Sequence, residues 1–212
     1  MVSKSAADVS GAICPDGSRP LRADAQRNRA KVLEAAESVF AAEGISVPVD
    51  LIAEKAGVGV GTVYRHFPTK EKLFEAILIR RIDEIAGDAR ARLGAEDPGA
   101  ALFDFLAHLV QESTLKRDLI QALLSAGVEL EVAAAPSKRN LEAAVGELLS
   151  VAQRAGDVRG DVTCEVVLSL VGATCIAADQ PHMAALPADL LGIICDGLRA
   201  PKAGPAADER GP

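Results

Sequence analysis

One short stretch of the chain, residues 60–70, holds side chains well suited to binding a polyanion. Hydroxyl, imidazole, guanidinium and ammonium groups are donors that proteins direct at phosphate oxygens and at the edges of bases. Small residues at the start of the stretch would let a helix approach a duplex closely. The candidate contact residues are Val60, Gly61, Thr62, Tyr64, Arg65, His66 and Lys70. This set of residues predicts binding to nucleic acid.

The sequence around Gly57 predicts two short helices that would present these residues. A helix over residues 49–56, a tight turn at Ala56-Gly57-Val58 and a second helix over residues 60–67 would form a helix-turn-helix. Gly57 stands where the bend needs a residue with a permissive backbone. Phe67 is expected to anchor the second helix in the core.

This region resembles the DNA-binding domain of the TetR family of bacterial regulators over roughly residues 24–84. The first helix looks similar in its pattern Arg29-x-x-Val32-Leu33-x-Ala35-Ala36-x-x-x-Phe40-x-x-x-Gly44. The later matching positions are Ile52-Ala53, Ala56-Gly57-Val58, Gly61-Thr62, Tyr64-x-His66-Phe67 and Lys70-Glu71-x-Leu73. Gly59 departs from the family, which usually has serine there, so the second helix of the motif would lose a side-chain cap.

The resemblance implies a role for each candidate contact residue on double-stranded operator DNA. Tyr64, His66 and Lys70 would bind phosphates, and Thr62 would bind a phosphate or a base. Val60, Gly61 and Arg65 would lie nearest the base edges, with Arg65 suited to guanine because its fork matches the O6 and N7 acceptors. The start of the first helix would reach the DNA backbone through Arg27 and Arg29.

The rest of the sequence predicts an all-α protein of about nine helices. We expect an N-terminal three-helix DNA-binding domain over 24–84, a helical regulatory and dimerisation domain over 85–200, and disordered tails at 1–20 and 201–212. Thr69 is the expected N-cap of a long fourth helix that ends near residue 93. The later helices are predicted at 100–114, 116–125, 137–155, 163–178 and 188–198, with Pro136 ending a helical stretch over 128–135.

The charge is distributed unevenly along the chain. The net charge of −7 is unfavourable for a nucleic-acid-binding protein. Residues 19–92, however, hold thirteen Lys and Arg against eleven Asp and Glu, whereas residues from 93 onward hold nine against seventeen. This asymmetry would favour the approach of the first half of the chain to DNA.

Several other classes of protein are disfavoured by the sequence. The three histidines are dispersed, no GxSxG or HExxH pattern occurs, and no ligand spacing predicts a metal site or a cofactor. The four cysteines form no CxxC pair and are expected to be thiols. The missing catalytic motifs predict a protein that is not an enzyme. No signal or membrane-spanning pattern is present, so we expect it in the cytoplasm, associated with the nucleoid.

The helix predicted over residues 100–114 is apolar nearly all round. Its polar exceptions, Asp104, His108 and Gln111, share one stripe. Either this stripe faces solvent, or the stripe or the adjacent Phe105 and Leu109 line a cavity between helices. A small-molecule effector, unidentified here, is implied by the resemblance. The candidate ligand-binding residues are Phe103, Phe105, His108, Leu109, Gln111 and Cys175.

The last two predicted helices carry more apolar surface than one chain needs to bury. Either they form an intramolecular core, or they pair with a second copy in a four-helix bundle, as the resemblance implies. The expected function is a homodimeric repressor that a ligand releases from a palindromic operator. The alternative is a ligand-independent architectural or protein-recruiting factor, which should be packed solid in the second half, whereas a ligand sensor should have a sizeable enclosed cavity there.

Overall fold

Helices form most of the chain in the computed structural model, which describes residues 18–111, 113–178 and 186–201. Side chains are described for 23–111, 119–129, 132–176 and 189–201. The ten helices in these ranges are α1 Ser18–Glu43, α2 Val49–Ala56, α3 Val60–His66, α4 Lys70–Ala91, α5 Pro98–Gln111, α6 Ser113–Ser125, α7 Leu130–Ala133, α8 Ala135–Ala155, α9 Cys164–Ala178 and α10 Leu186–Leu198. The predicted all-α class is confirmed.

Prolines and tails account for the main differences from the predicted boundaries. α1 begins at Ser18, six residues before the predicted start and inside the predicted N-terminal tail. α8 begins at Ala135 and takes Pro136 into its first turn, where the missing N–H of proline costs nothing. The rest of the predicted tails, 1–17 and 202–212, lies outside the described residues.

The helix-turn-helix is formed by local backbone chemistry. Gly57 follows α2 at φ +66°, and its N–H donates to the carbonyl of Glu54. This left-handed conformation favours glycine because a Cβ would crowd the following carbonyl. Val63 of α3 and Phe67 just after it are buried against the core of α1, α2 and α4.

α4 contributes to both apolar cores of the molecule. Its first half, through residues such as Leu73 and Ile77, packs with α1, α2 and α3 and with the buried face of α6. Its second half, through Ile85 and Ala89, packs with α5, α8 and α9. α4 therefore runs across the predicted domain boundary at residues 84 and 85, and motion of this helix would reach both cores.

No helix within the described ranges is both long enough and apolar enough to cross a membrane. Among the same residues, Cys164, Cys175 and Cys195 are not in disulfide bonds, whereas the predicted thiol at Cys14 lies outside them. Partial burial raises the pKa of the Cys164 and Cys195 thiols and so lowers their reactivity.

Replacing Gly57 by alanine is expected to lower the free energy of unfolding by about 1–2 kcal/mol, because alanine would be strained at this positive φ. Urea denaturation followed by circular dichroism measures the change. Gly59→Ser is the matched control, since Gly59 has φ −69° and no atom lies within 4 Å of an added Cβ. The free energy of unfolding of Gly59→Ser should be a few tenths of a kcal/mol higher, because serine supplies the missing side-chain cap. Equal losses in the two variants would contradict the argument.

Candidate nucleic-acid interface and apolar cleft

The outer face of α3 presents several of the predicted DNA-contact residues together. Tyr64 is 46% exposed, and Gly61 and Arg65 are also exposed. Three further predicted residues, Val60, Thr62 and His66, are half-buried at the edges of this face. The opposite side of the helix carries the buried Val63. α3 is therefore held by its apolar side while its polar side is open to a ligand as large as a duplex.

The caps of α3 and α4 differ as predicted. Gly59 is the N-cap of α3 and makes no side-chain hydrogen bond to the helix. Thr69 caps α4, because its Oγ1 accepts a hydrogen bond from the backbone N–H of Lys72 at 3.3 Å. Only three residues, 67–69, separate the end of α3 from the start of α4, so the N-terminus of α4 lies beside the candidate interface.

Lys70 is turned toward the protein instead of extending into solvent. Its Nζ donates to the carbonyl oxygen of Val47 at 2.6 Å and lies 5.5 Å from the ring centroid of Phe74. Burial lowers the pKa of Lys70, against the opposing effect of Glu71. An ammonium group has three donors, so Lys70 can donate to a phosphate while it keeps the Val47 bond. That contact stays a prediction.

The two arginines of α1 occupy different positions. Arg27 is exposed and forms an ion pair with Asp24 one turn earlier. The guanidinium carbon of Arg29 lies 5.1 Å from the ring centroid of Phe67, so a cation–π contact holds it beside the end of α3. Arg29 is thereby grouped with the α3 face, whereas Arg27 is not in contact with α3 through any described bond.

A two-point ion pair joins α1 to the middle of α4. Nε and Nη2 of Arg80 donate to the two carboxylate oxygens of Glu37, the first at 3.1 Å. Both side chains are partly buried, and Oε1 of Glu84, on the same helix as Arg80, lies 3.4 Å from Arg80 Nε. A paired fork of this kind fixes orientation as well as distance.

Replacing Glu37 by glutamine is expected to lower the free energy of unfolding by about 1 kcal/mol, with a smaller loss at high salt. Asp88→Asn is the control, because the Asp88–Arg92 pair joins the last turn of α4 to its C-cap residue and links no second helix. Asp88→Asn should lower the free energy of unfolding by less than half as much as Glu37→Gln. Chemical denaturation at low and high salt measures both variants, and a loss for Glu37→Gln that salt does not reduce would argue against an electrostatic role.

An apolar cleft of about 580 Å³ lies between α4, α6, α7 and the start of α8. Its described lining is formed by Leu78, Ile82, Ile120, Leu124, Val128, Glu129, Val132, Ala134, Lys138 and Leu141. This volume is within the range of small-molecule sites in proteins. None of the six predicted ligand-binding residues lines this cleft, and sequence reasoning missed it because its walls come from four separate helices.

Five of the six predicted ligand-binding residues lie on α5, and the sixth, Cys175, lies on α9. Phe105 and Leu109 are buried in the second core. Phe103 lies under the guanidinium of Arg199 at 4.6 Å, and Cys175 is within 4.0 Å of the Leu109 carbonyl. His108 is half-buried, whereas Gln111 and the neighbouring Asp104 are exposed. The structure thus brings the apolar members together as core, while the ends of the polar stripe face solvent.

A second apolar surface lies on α9 and α10. Ile176 and Ile193 are 68% and 69% exposed, and Val166 and Leu170 are also exposed. Exposed large apolar side chains on adjacent helices are typical of a surface that another protein covers. The other face of this pair packs inward through Val167 and Leu198.

Comparison with known proteins assigns both halves of the chain. Residues 32–77 match the family described as bacterial regulatory proteins, tetR family. Residues 97–200 match the family described as transcriptional regulator SbtR-like, C-terminal domain. Residues 78–96, which hold the second half of α4 and the turn before α5, lie between the two matched segments.

Solved structures extend the similarity to the whole fold. A TetR transcription regulatory protein from Mycobacterium vanbaalenii is 46% identical, with TM-score 0.70 over 85% of this chain and all of that one. A TetR transcriptional regulator from Streptomyces coelicolor is 29% identical, with TM-score 0.67 over 82% of this chain and 99% of that one. The curated regulator SrpR of Pseudomonas putida is 39% identical over 79 residues, which span only 37% of each chain.

Proposed function

Since this chain belongs to the TetR family of bacterial transcriptional regulators, we propose that it is a homodimeric repressor which a small molecule releases from a palindromic operator. The family is one of DNA-binding regulators and not of enzymes. The observation that carries the ligand-responsive part is the apolar cleft against α4, because the same helix packs on the DNA-binding helices.

The proposed DNA interface is the exposed face of α3 with its flanking residues. Tyr64, His66 and Lys70 bind phosphates, Arg65 reads a base, and Thr62 serves either purpose. Val60 and Gly61 let the helix enter the major groove closely. Arg27 and Arg29 of α1 contact the backbone of the operator, Arg29 from its place beside α3.

The proposed dimer forms through α9 and α10. Two copies would bury the exposed apolar side chains of these helices in a four-helix bundle. A two-fold interface of this kind places two α3 helices in successive major grooves about 34–36 Å apart, which makes the operator palindromic.

The proposed effector acts through α4. A molecule in the cleft contacts Leu78 and Ile82 of α4, and a displacement of α4 changes the spacing of the two α3 helices. Linkage then requires that operator DNA weaken effector binding by the same factor. A ligand-independent architectural factor has no use for a cleft of this size, so the cleft favours the repressor. The α5 residues predicted from the sequence remain an alternative contact set.

The first experiment is to measure binding of the purified protein to duplex DNA from upstream of its own gene at several salt concentrations. Specific binding that weakens steeply with salt is expected, because phosphate contacts release counterions. Equal affinity for that DNA and for a shuffled duplex of the same composition would contradict operator recognition there. Activation of transcription in a reporter assay, in place of repression, would overturn the repressor role alone.

A further inference from the structure

We propose that the cleft between α4, α6, α7 and α8 binds an aliphatic molecule with one anionic end, the class represented by medium-chain carboxylates. The effector role of this molecule rests on the proposed function, whereas its binding to the cleft does not. The cleft has an aliphatic lining, one cation at its edge and apolar walls that are partly exposed to water.

The walls of the cleft are aliphatic. Eight of the ten described lining residues are Leu, Ile, Val or Ala, and none of those ten is aromatic or carries a hydroxyl or amide side chain. Such a surface offers no ring for stacking and no neutral side-chain group to orient a polar ligand. Binding to this surface is favoured when methylene groups of the ligand are removed from water. The body of the occupant is therefore aliphatic.

The cleft is incompletely covered by the protein itself. Leu124 and Val132 line it and are 54% and 70% exposed. An aliphatic chain lying between them would shield both side chains from water. Leu78 and Ile82, on the opposite wall, belong to the buried core and provide a firm surface.

Lys138 gives the cleft its positive end. It is half-buried on α8 and is the only cation among the described lining residues, and its alkyl stem can lie along apolar surface with the ammonium at the edge. The carboxylates along this surface, Glu129 in the lining and Glu142 one turn further on α8, are both exposed to water. An ammonium group has three donors. It can therefore bind an anionic end while retaining an existing partner.

Calorimetric titration of the full chain with hexanoate, octanoate and decanoate, all below their micelle concentrations, tests the aliphatic part. Affinity should rise about fourfold per methylene, or roughly fifteenfold per two-carbon step, until the cleft is filled. 2-Naphthoate should bind more weakly than decanoate. Affinity that does not change with chain length, or naphthoate binding as tight as that of decanoate, would overturn this part.

Decanol tests the anionic end, because it has the same chain and no charge. Decanoate should bind about tenfold more tightly than decanol to the unaltered protein, and Lys138→Met should remove that preference, whereas Lys138→Arg should keep it. Arg139→Met is the matched control, since Arg139 is the exposed neighbour of Lys138 and does not line the cleft. A preference lost equally in both methionine variants, or absent from the start, would overturn the role of Lys138.

Operator binding is measured separately, so the two proposals can fail independently. If decanoate binds with the expected pattern and leaves DNA affinity unchanged, the cleft assignment stands and its effector role fails. If decanoate does not bind while the protein still binds its operator, the cleft assignment fails and the DNA-binding role stands.

Discussion

Replacing Arg65 by alanine is expected to weaken binding to the operator by about 1–3 kcal/mol and to relax discrimination at one base pair. Arg65 is exposed on the outer face of α3, beside Tyr64 and one turn after Gly61. Its planar fork matches two acceptors of guanine, and alanine offers neither the charge nor the donors. Because the side chain is solvent-exposed in the unbound protein, the fold should be unaffected.

Arg27→Ala is the control for the loss of charge alone. Arg27 is also exposed, but it lies on α1 and is proposed to contact only the DNA backbone. Arg27→Ala should weaken binding to all DNA sequences about equally. It should also reduce the slope of log affinity against log salt concentration by the amount due to about one phosphate contact. Binding to the operator and to each single-base variant, measured by fluorescence anisotropy, separates the two effects. If Arg65→Ala weakens all duplexes equally, Arg65 does not read a base.

Replacing Ile193 by aspartate is expected to convert the proposed dimer to monomers and to weaken operator binding by at least about a hundredfold, because the second half-site contact is then no longer intramolecular. Ile193 is 69% exposed on α10 in the single chain, so aspartate there is compatible with folding. In the proposed four-helix bundle the same position would bury an unpaired carboxylate, which is strongly unfavourable.

Val132→Asp is the matched control for this change. Val132 is 70% exposed, has the same β-branched aliphatic character, and lies on α7 in the wall of the cleft, so it is a control for the oligomeric state and not for operator binding. Light scattering over a range of protein concentrations should show monomers for Ile193→Asp and dimers for Val132→Asp. A dimer that persists in Ile193→Asp would mean that another surface holds the two copies together.

The helix-turn-helix was predictable from the sequence because its determinants are local. Gly57 supplies the left-handed turn, Thr69 caps α4, and the absence of a cap at Gly59 follows directly from the residue type. α2 has the predicted bounds, and α3 ends one residue before the predicted position. Local backbone preferences are sufficient here because each operates within four or five residues.

The cleft was not predictable in this way. The all-round apolar sequence of α5 is compatible with a buried helix or with a cavity wall, and Phe105 and Leu109 are buried in the core. A cavity is space that four helices leave unfilled, and its lining residues, such as Ile82 and Ile120, have the same apolar character as residues in a packed core. The spacing of side chains along one helix does not predict how closely another helix packs against it.

Lys70 shows the same division at a single residue. The sequence by itself determined the family, the all-α class, the helix-turn-helix and the group of donors on α3, because these depend on residue types at fixed local spacings. Only the tertiary structure decided that the Lys70 ammonium binds the Val47 carbonyl, that Glu37 and Arg80 join α1 to α4, and that the open apolar space lies beside α4. Those features depend on the packing of helices distant in sequence, which local spacing does not specify.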